Sequence, residues 1–447
     1  MLTQWAPPCG SVVCQSAGST HGLSSRNNLP DRLTLARKEP HEHSSGEMRV
    51  WSRVLVVCFL CLCLVVGEVA SLDPARPARG GVGVAPRRLK LAPLGSSGDG
   101  AQLPKYRVDL DQPPGVRWND VMKDKRAAAH KTITSLFALL PEEVHTEVDK
   151  LVLHVEERLP VWAREEMQGI AAALNVTFGD ILLVNFFFEI TPFCTSVIAR
   201  SSSTGHLYHA RNLDFGFGMP SFSENLRDLA MDVEFIKGGE PAFMVTTFAG
   251  YVGAATGMRS GVFSVTVNER EMTGPLPIPN LLKGVLNLFN AILTTDAYPV
   301  TWATREALED DASTFNSVVK MFSERSLATQ IYLIIGGASE GDGVVLTRDH
   351  NSLLDAWKMD AASGEWFLVQ TNYDHWLPMP IWDNRRKPAE KALSKVGADA
   401  ILPSSIYSNV LSLDPILNQL TVYSTIMSCA EGKYESFLRK CEGCSPI

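Results

Sequence analysis

The chain has 447 residues, 45% hydrophobic and 20% charged, a balance that supplies core for one large domain or two ordinary ones and excludes a wholly disordered chain. A formal net charge of −8 and an isoelectric point near 5.7 leave no basic footprint, which argues against nucleic acid as the main partner.

Residues 1–47 are polar, rich in Ser, Pro, Arg and His, and read as a disordered upstream extension. In residues 48–71, MRVWSRVLVVCFLCLCLVVGEVAS, Arg49 and Arg53 precede an apolar run over 54–67, and small residues (Gly67, Ala70, Ser71) follow. That is the layout of a secretory signal peptide, the run being short for a bilayer span. Removing everything up to about residue 71 takes away five of nine cysteines and leaves Cys194, Cys429, Cys441 and Cys444, too few for a disulfide framework. Cys441 and Cys444 either close a terminal loop, pair with Cys429 or stay free. A lone CxxC without a second ligand pair makes no metal site, so neither a metal nor a cofactor is expected.

Residues 72–104 form a Pro-, Gly- and Ala-rich leader. YRVDLDQPP (106–114) predicts a short strand. Helices are predicted between about 119 and 174, where Ile133, Leu136 and Leu140, then Val148, Leu151, Val152 and Val155, recur at three- and four-residue spacing, punctuated by Pro141 and Pro160. Asn175 opens the only N-glycosylation sequon, in keeping with a lumenal surface. After Cys194, strands pair across Gly/Ser-rich turns: 194–200 with 206–214, 231–236 with 242–248, 332–337 with 343–349, and 354–360 with 365–374. Helices are expected at about 279–295, 301–309, 314–324, 388–395 and 405–412. The pattern predicts an α+β fold, two largely antiparallel sheets between helix layers.

The first hairpin poses a chemical question. With its turn centred near Ser203, pairing sets Cys194 opposite Arg211 to Asn212 and brings Asp214 within reach. A thiol, with an ordinary pKa of about 8.5, needs a base to become a nucleophile. Nothing singles out His206 or His209 for that role. If the Phe193–Cys194 bond is cut, the freed α-amine, with a pKa near 8, can take the thiol's proton. Arg211 would then stabilise the thiolate and Asp214 hold the amine. The alternative is a buried structural cysteine. Two further stretches bear on the choice. GMRSGVFSVTVNER (257–270) reads as a strand ending in Asn268 and Glu269, and VQTNYDHWLPMPIWDNRR (369–386) puts Asn372 at a strand end ahead of Arg385 and Arg386. Asparagine amides so placed can donate to an oxyanion, or can satisfy local turn backbone.

CTSVIAR, GHLYHARNLDFG, TTFAGYVGAATG, VNER, TNYDHW and DNRRKP occur in this order. Over residues 106–438 they resemble the acid ceramidase and N-acylethanolamine-hydrolysing acid amidase family, in the cysteine branch of N-terminal-nucleophile hydrolases. The resemblance implies a lysosomal zymogen with an αββα four-layer sandwich that cuts itself at low pH between Phe193 and Cys194. The products would be an α chain (72–193) and a β chain (194–447). It makes Cys194 the nucleophile, Arg211 and Asp214 its positioning and activating residues, Asn372 and Arg385 parts of the same network, Asn268 the oxyanion asparagine and Glu269 a nearby acid. No cysteine lies between the signal peptide and Cys194, so no disulfide between the two chains is expected.

The activity implied is hydrolysis of N-acylethanolamines to fatty acid and ethanolamine, with hydrolysis of ceramide as the alternative. Rivals are peptide or β-lactam amide hydrolysis and a silent lipid-binding protein indifferent to loss of the thiol. The expected partners are a lipid amide and, transiently, a membrane or vesicle surface. LLKGVLNLFNAIL (281–293) gathers Leu282, Val285, Leu286, Phe289 and Leu293 on one helical face, which either packs into the core or touches lipid.

Overall fold

The computed structural model describes residues 100–138, 152, 154–190, 193–215, 220–270, 278–360 and 363–445. The upstream extension, the signal peptide, nearly all of the leader and the helical pattern around Leu140, Val148 and Leu151 lie outside them. Strand β1 (Lys105–Asp109) stands where YRVDLDQPP predicts it. Helix α1 (Asn119–Phe137) buries Met122, Ala129, Ile133 and Leu136, a one-face stripe. Helix α2 (Val161–Leu174) starts after Pro160 and ends at Asn175, whose left-handed φ of 59° lets its N–H return to Ala171 O. Asn175 is exposed, as a glycan acceptor must be.

Helix α3 (Phe178–Ile190) was not expected. It opens on a reciprocal cap, with Asp180 N–H donating to Thr177 Oγ1 (3.1 Å) and Thr177 N–H to Asp180 Oδ2 (2.8 Å). Ile181, Leu182, Val184, Phe186 and Phe187 are all buried. A helix apolar on every side carries no 3.6-residue contrast to read in sequence.

The strands that follow are β2 (Phe193–Arg200), β3 (Leu207–Asp214), β4 (Ala230–Lys237), β5 (Glu240–Phe248), β6 (Thr256–Arg259), β7 (Phe263–Glu269), β8 (Ile331–Gly337), β9 (Gly343–Arg348), β10 (Leu353–Lys358), β11 (Phe367–Gln370), β12 (Thr421–Ser428) and β13 (Lys433–Leu438). Between them run α4 (Pro220–Leu229), α5 (Ile278–Thr294), α6 (Val300–Glu309), α7 (Phe315–Glu324), α8 (Arg386–Val396) and α9 (Pro403–Ile406), the last continuing as a π turn over Tyr407–Leu411. One sheet has the order β1-β4-β5-β6-β7-β8-β9-β10 and the other β11-β2-β3-β12-β13. Every pairing is antiparallel except β1 with β4.

Three of the four predicted hairpins form. The fourth does not: β10 pairs with β9 in the eight-stranded sheet, whereas β11 crosses to pair with β2 in the other. Two β-rich runs around a glycine turn look alike whether they join one sheet or two. Strands β12 and β13 and helix α4 also went unread. All eight residues of β12 are buried, so the inside–outside alternation that marks a strand is missing.

The sheets stack face to face, with Ile198 and Leu207 meeting Tyr332, Ile334 and Val345. The outer face of the five-stranded sheet (Val197, Ala199, Tyr208, Ala210, Ile426) packs on Ala389 and Leu393 of α8 and on Ile406 and Val410 beyond it. Helices α6 and α7 cover the outer face of the eight-stranded sheet. At Gly257 a Cβ would stand 2.5 Å from Leu308 Cδ1, so closely does α6 lie on β6. The architecture is therefore the expected αββα sandwich. In α5, Val285 and Phe289 are buried, and Phe289 meets Phe186 edge-on at 4.7 Å. These two side chains face the core rather than a lipid surface; the side chains of Leu282 and Leu286 lie outside the description. Cys441 and Cys444 form a disulfide, and Cys429 is a buried free thiol.

Candidate active site

The β2–β3 register differs by one residue from expectation. Cys194 faces Leu213, Ser196 faces Arg211, and Phe193 faces Asp214. The register matters because side chains alternate: it places Cys194 and Arg211 on the same face, between the sheets, where pairing of Cys194 with Asn212 would have separated them. Asp214 lies on the other face, toward the start of α8.

Cys194 is fully buried. Its Sγ accepts a hydrogen bond from Arg211 Nη2 and lies 4.0 Å from Val267 O. Arg211 also donates to Val267 O (3.2 Å), Ala255 O (2.7 Å) and Thr256 Oγ1 (2.9 Å). None of these acceptors is a carboxylate, so a fully buried cation is turned onto the thiol. Burial pushes the Cys194 thiol up to about 11; Asp214 adds to the rise, and the Arg211 and Arg385 guanidiniums oppose it. In the uncut chain the thiol therefore stays protonated near neutral pH.

The backbone N–H of Cys194 donates to Asn372 Oδ1 (2.8 Å), which also accepts from Arg385 Nη2 (2.8 Å). Arg385 continues to Asp214 Oδ2 through Nη1 (2.9 Å) and to Asp383 Oδ1 through Nε (3.0 Å). Thr421 Oγ1 closes the chain on Asp214 Oδ1 (2.6 Å), and Asp383 Oδ2 accepts from Asn372 N–H (2.9 Å). Burial raises the Asp214 carboxyl despite Arg385. For Asp383, burial pushes upward but Arg385 and the hydrogen bonds overcome it, so its carboxyl lies below the usual range. The structure thus joins Cys194, Arg211, Asp214, Asn372 and Arg385, five of the seven expected catalytic residues.

The other two enter differently. Asn268 Nδ2 donates to Gln370 O (2.9 Å) and Thr371 O (3.3 Å), and its Oδ1 accepts from Ser196 Oγ (2.8 Å). Asn372 Nδ2 donates to Glu269 O (2.8 Å), so Glu269 meets the network through its carbonyl. Arg270 grips Asp374 with two bonds of 2.8 and 2.7 Å. Residues 268–270 therefore clasp 370–374 and hold Asn372 in register between the sheets. Either asparagine amide would have to exchange a carbonyl for an oxyanion to play the expected role.

Asp383, Thr421, Thr256, Arg270 and Asp374 were not singled out from sequence, although Asp383 stands two residues before Arg385 in DNRRKP. Among the described residues, no histidine takes part in the network. His209 is buried between Ser264 Oγ and Thr266 Oγ1 (2.9 Å each), and burial with Arg211 nearby pushes it down to about 3. The residue before Cys194 is held as well: the Phe193 ring meets Trp382 edge-on at 6.3 Å. Upstream, Glu189 accepts from Val300 N–H (2.9 Å) and Thr301 N–H (3.1 Å), pinning the end of α3 to the start of α6.

The family model for the beta subunit of N-acylethanolamine-hydrolyzing acid amidase matches residues 101–159. The match lies wholly ahead of Cys194, in the segment expected above to become the α chain. The chain is 38% identical to N-acylethanolamine-hydrolyzing acid amidase of Mus musculus over 341 residues, 75% of this chain and 89% of the relative. It is 34% identical to acid ceramidase of Homo sapiens over 371 residues, 79% of this chain and 90% of the relative. A solved Caenorhabditis elegans N-acylethanolamine-hydrolyzing acid amidase ortholog matches at 30% identity with a TM-score of 0.47, covering 55% of this chain and 99% of that one.

Proposed function

Because the chain belongs to the acid ceramidase and N-acylethanolamine-hydrolysing acid amidase family, we propose that it is a lipid amidase made from a self-cleaving precursor. Its substrates would be N-acylethanolamines, hydrolysed to fatty acid and ethanolamine. The observation that carries this reading is that one network holds both the thiol of Cys194 and its own nitrogen, Arg211 on Sγ and Asn372 on the N–H. A merely structural cysteine needs neither.

In the first reaction Sγ attacks the Phe193 carbonyl carbon. The new C–S bond replaces the C–N bond, and the thiol's proton goes to the departing nitrogen, which becomes the α-amine of Cys194. Water then splits the thioester, leaving a carboxylate on Phe193. In turnover the α-amine takes the thiol proton, Sγ attacks the lipid's acyl carbon, and the ammonium returns the proton to the leaving ethanolamine. A second water releases the fatty acid. Asn372 Oδ1 is already placed to hold that amine, Arg385 braces Asn372, and the two products form an α/β heterodimer.

The acyl chain needs an apolar slot. One lies between α1, α3 and α4, lined by Ala129, Ile133, Leu136, Phe187, Phe215 and Phe222, and Phe215 directly follows Asp214. With the acid-treated protein, palmitoylethanolamide should be hydrolysed and Ala129→Phe should slow it roughly tenfold, sparing a short-chain amide. Equal loss on both, with self-cleavage intact, removes the slot from the reading. Activity on ceramide but not on palmitoylethanolamide would shift the reading to the ceramidase side, which the similarity to acid ceramidase over 90% of its length also supports.

The site of action we infer is the lysosome lumen, reached through the signal peptide at 48–71 with a glycan on Asn175. Deleting 48–71 should leave an unglycosylated protein outside lysosomes in cell fractions. A glycosylated, lysosomal deletion variant would contradict it.

A further inference from the structure

Arg211 carries the only full charge bonded to the thiol among the described residues, yet it has no carboxylate to fix its angle. Its Nη1 ends on Ala255 O and Thr256 Oγ1, and its Nε has no hydrogen-bond partner among the described residues. What holds the guanidinium is therefore the chain of neutral groups behind it. Thr256 Oγ1 is 2.8 Å from Tyr423 Oη, and Tyr423 Oη is 3.5 Å from Thr246 O. Tyr423 stands on β12 opposite Leu213, which in turn faces Cys194, so tyrosine and thiol share the face between the sheets.

Arg211 can only donate, so Thr256 Oγ1 accepts from it and has its own O–H left to give. Thr256 Oγ1 and Tyr423 Oη share a hydrogen bond in which either oxygen can be the donor, and Tyr423 Oη stands 3.5 Å from Thr246 O. Arg211, Thr256 and Tyr423 thus form one hydrogen-bonded chain, and each bond polarises the next. All three side chains are fully buried, so water offers no substitute. Burial also holds the Tyr423 phenol up to about 12, which keeps the group a neutral hydroxyl at any working pH.

We propose that Tyr423 is a positioning residue for the nucleophile: through Thr256 it fixes the angle at which Arg211 meets Cys194 Sγ. The inference rests on the amidase reading for its purpose, but its geometry does not. Without the phenol oxygen, Thr256 Oγ1 loses a buried hydrogen-bond partner, and Arg211 loses a stiff anchor. The guanidinium then stabilises the thiolate less well. The phenol oxygen connects to the thiol through Thr256 and Arg211.

The test uses the processed protein and needs no substrate. The rate of Cys194 alkylation by iodoacetamide is measured against pH, for the unaltered protein, Tyr423→Phe, Thr256→Val and Thr256→Ser. Tyr423→Phe and Thr256→Val should each move the midpoint of the profile up by about one unit, a tenfold loss of thiolate on the acid side. Thr256→Ser, which keeps the hydroxyl, should restore the original midpoint. In amide hydrolysis the same pair should lose kcat about tenfold with KM little changed. Profiles that coincide for all four proteins overturn the proposal, as does a rise in KM alone. If Tyr423→Phe does not fold, the Thr256→Val and Thr256→Ser pair decides by itself. Failure of the amidase reading would show separately, as an unaltered protein with a normal alkylation profile and no hydrolysis.

Discussion

Cys194→Ala is expected to give a chain that stays whole under acid conditions that cut the unaltered protein between Phe193 and Cys194. Hydrolysis of palmitoylethanolamide should fall by roughly a thousandfold or more, since the substitution removes both the attacking atom and the cut that frees the amine. The variant should fold. Alanine fits the same strand position, and Arg211 keeps Val267 O, Ala255 O and Thr256 Oγ1. The readout is intact mass with N-terminal sequencing. A new terminus at residue 194 in the alanine variant would mean that another group attacks the bond, and full hydrolysis by an uncut chain would return Cys194 to a buried structural residue.

Charge balance gives a reason for joining the two reactions. In the uncut chain Asp214 and Asp383 offset Arg385 and Arg211, and the thiol and its amide are neutral. Cutting frees an amine where Asn372 Oδ1 accepts, and transfer of the Sγ proton to it makes an ammonium there and a thiolate where Arg211 donates. Apart from the new Phe193 carboxylate, the proton transfer itself gives a pair of opposite charges, and each lands beside a group already turned toward it. Burying such a pair is tolerable only when both charges are met in this way.

The local part of this arrangement could be read in the sequence. A hairpin brings Cys194 and Arg211 together with no help from elsewhere, and the order VNER, TNYDHW, DNRRKP announces the rest. What could not be read depends on contacts across the sandwich. A one-residue shift in register, half a residue in turn centre, decides which face Arg211 takes, and residue types around Ser203 do not fix it. Asn268 looks like an amide free to donate until β11 is known to cross to the other sheet and present Gln370 O to it. Tyr423 sits in a strand without alternation, so neither the strand nor its hydroxyl's partner is visible in TVYSTIMS. Helix α3 hides for the same reason: burial on every side erases the period that reveals an element.

Arg385→Met is expected to be the most destabilising single change in the site, and its cost should depend on pH. Arg385 lies between two fully buried carboxylates, Asp214 Oδ2 at 2.9 Å and Asp383 Oδ2 at 3.0 Å. Removing one partner from a buried ionic set costs about 3–5 kcal/mol near neutral pH. Without the guanidinium, burial and mutual repulsion push both carboxyls up, so the folded variant binds protons that the unfolded chain, with ordinary carboxyls, does not. Stability of the variant therefore falls as pH rises through those raised values. The unaltered protein carries the opposite contribution at Asp383, whose lowered carboxyl gives stability present above the unfolded value and lost as pH falls through the folded one. Both effects act in the same sense, and the gap between the two proteins should be widest near neutral pH and narrow in acid, by about 1.4 kcal/mol per unit for each carboxyl that takes up a proton. Urea unfolding at several pH values measures it, with both proteins carrying Cys194→Ala so that one uncut chain unfolds reversibly. A gap that ignores pH, or one below about 1 kcal/mol throughout, would show that water or a rearranged neighbour already shares the two charges, and the dry network drawn around Asn372 would have to be abandoned.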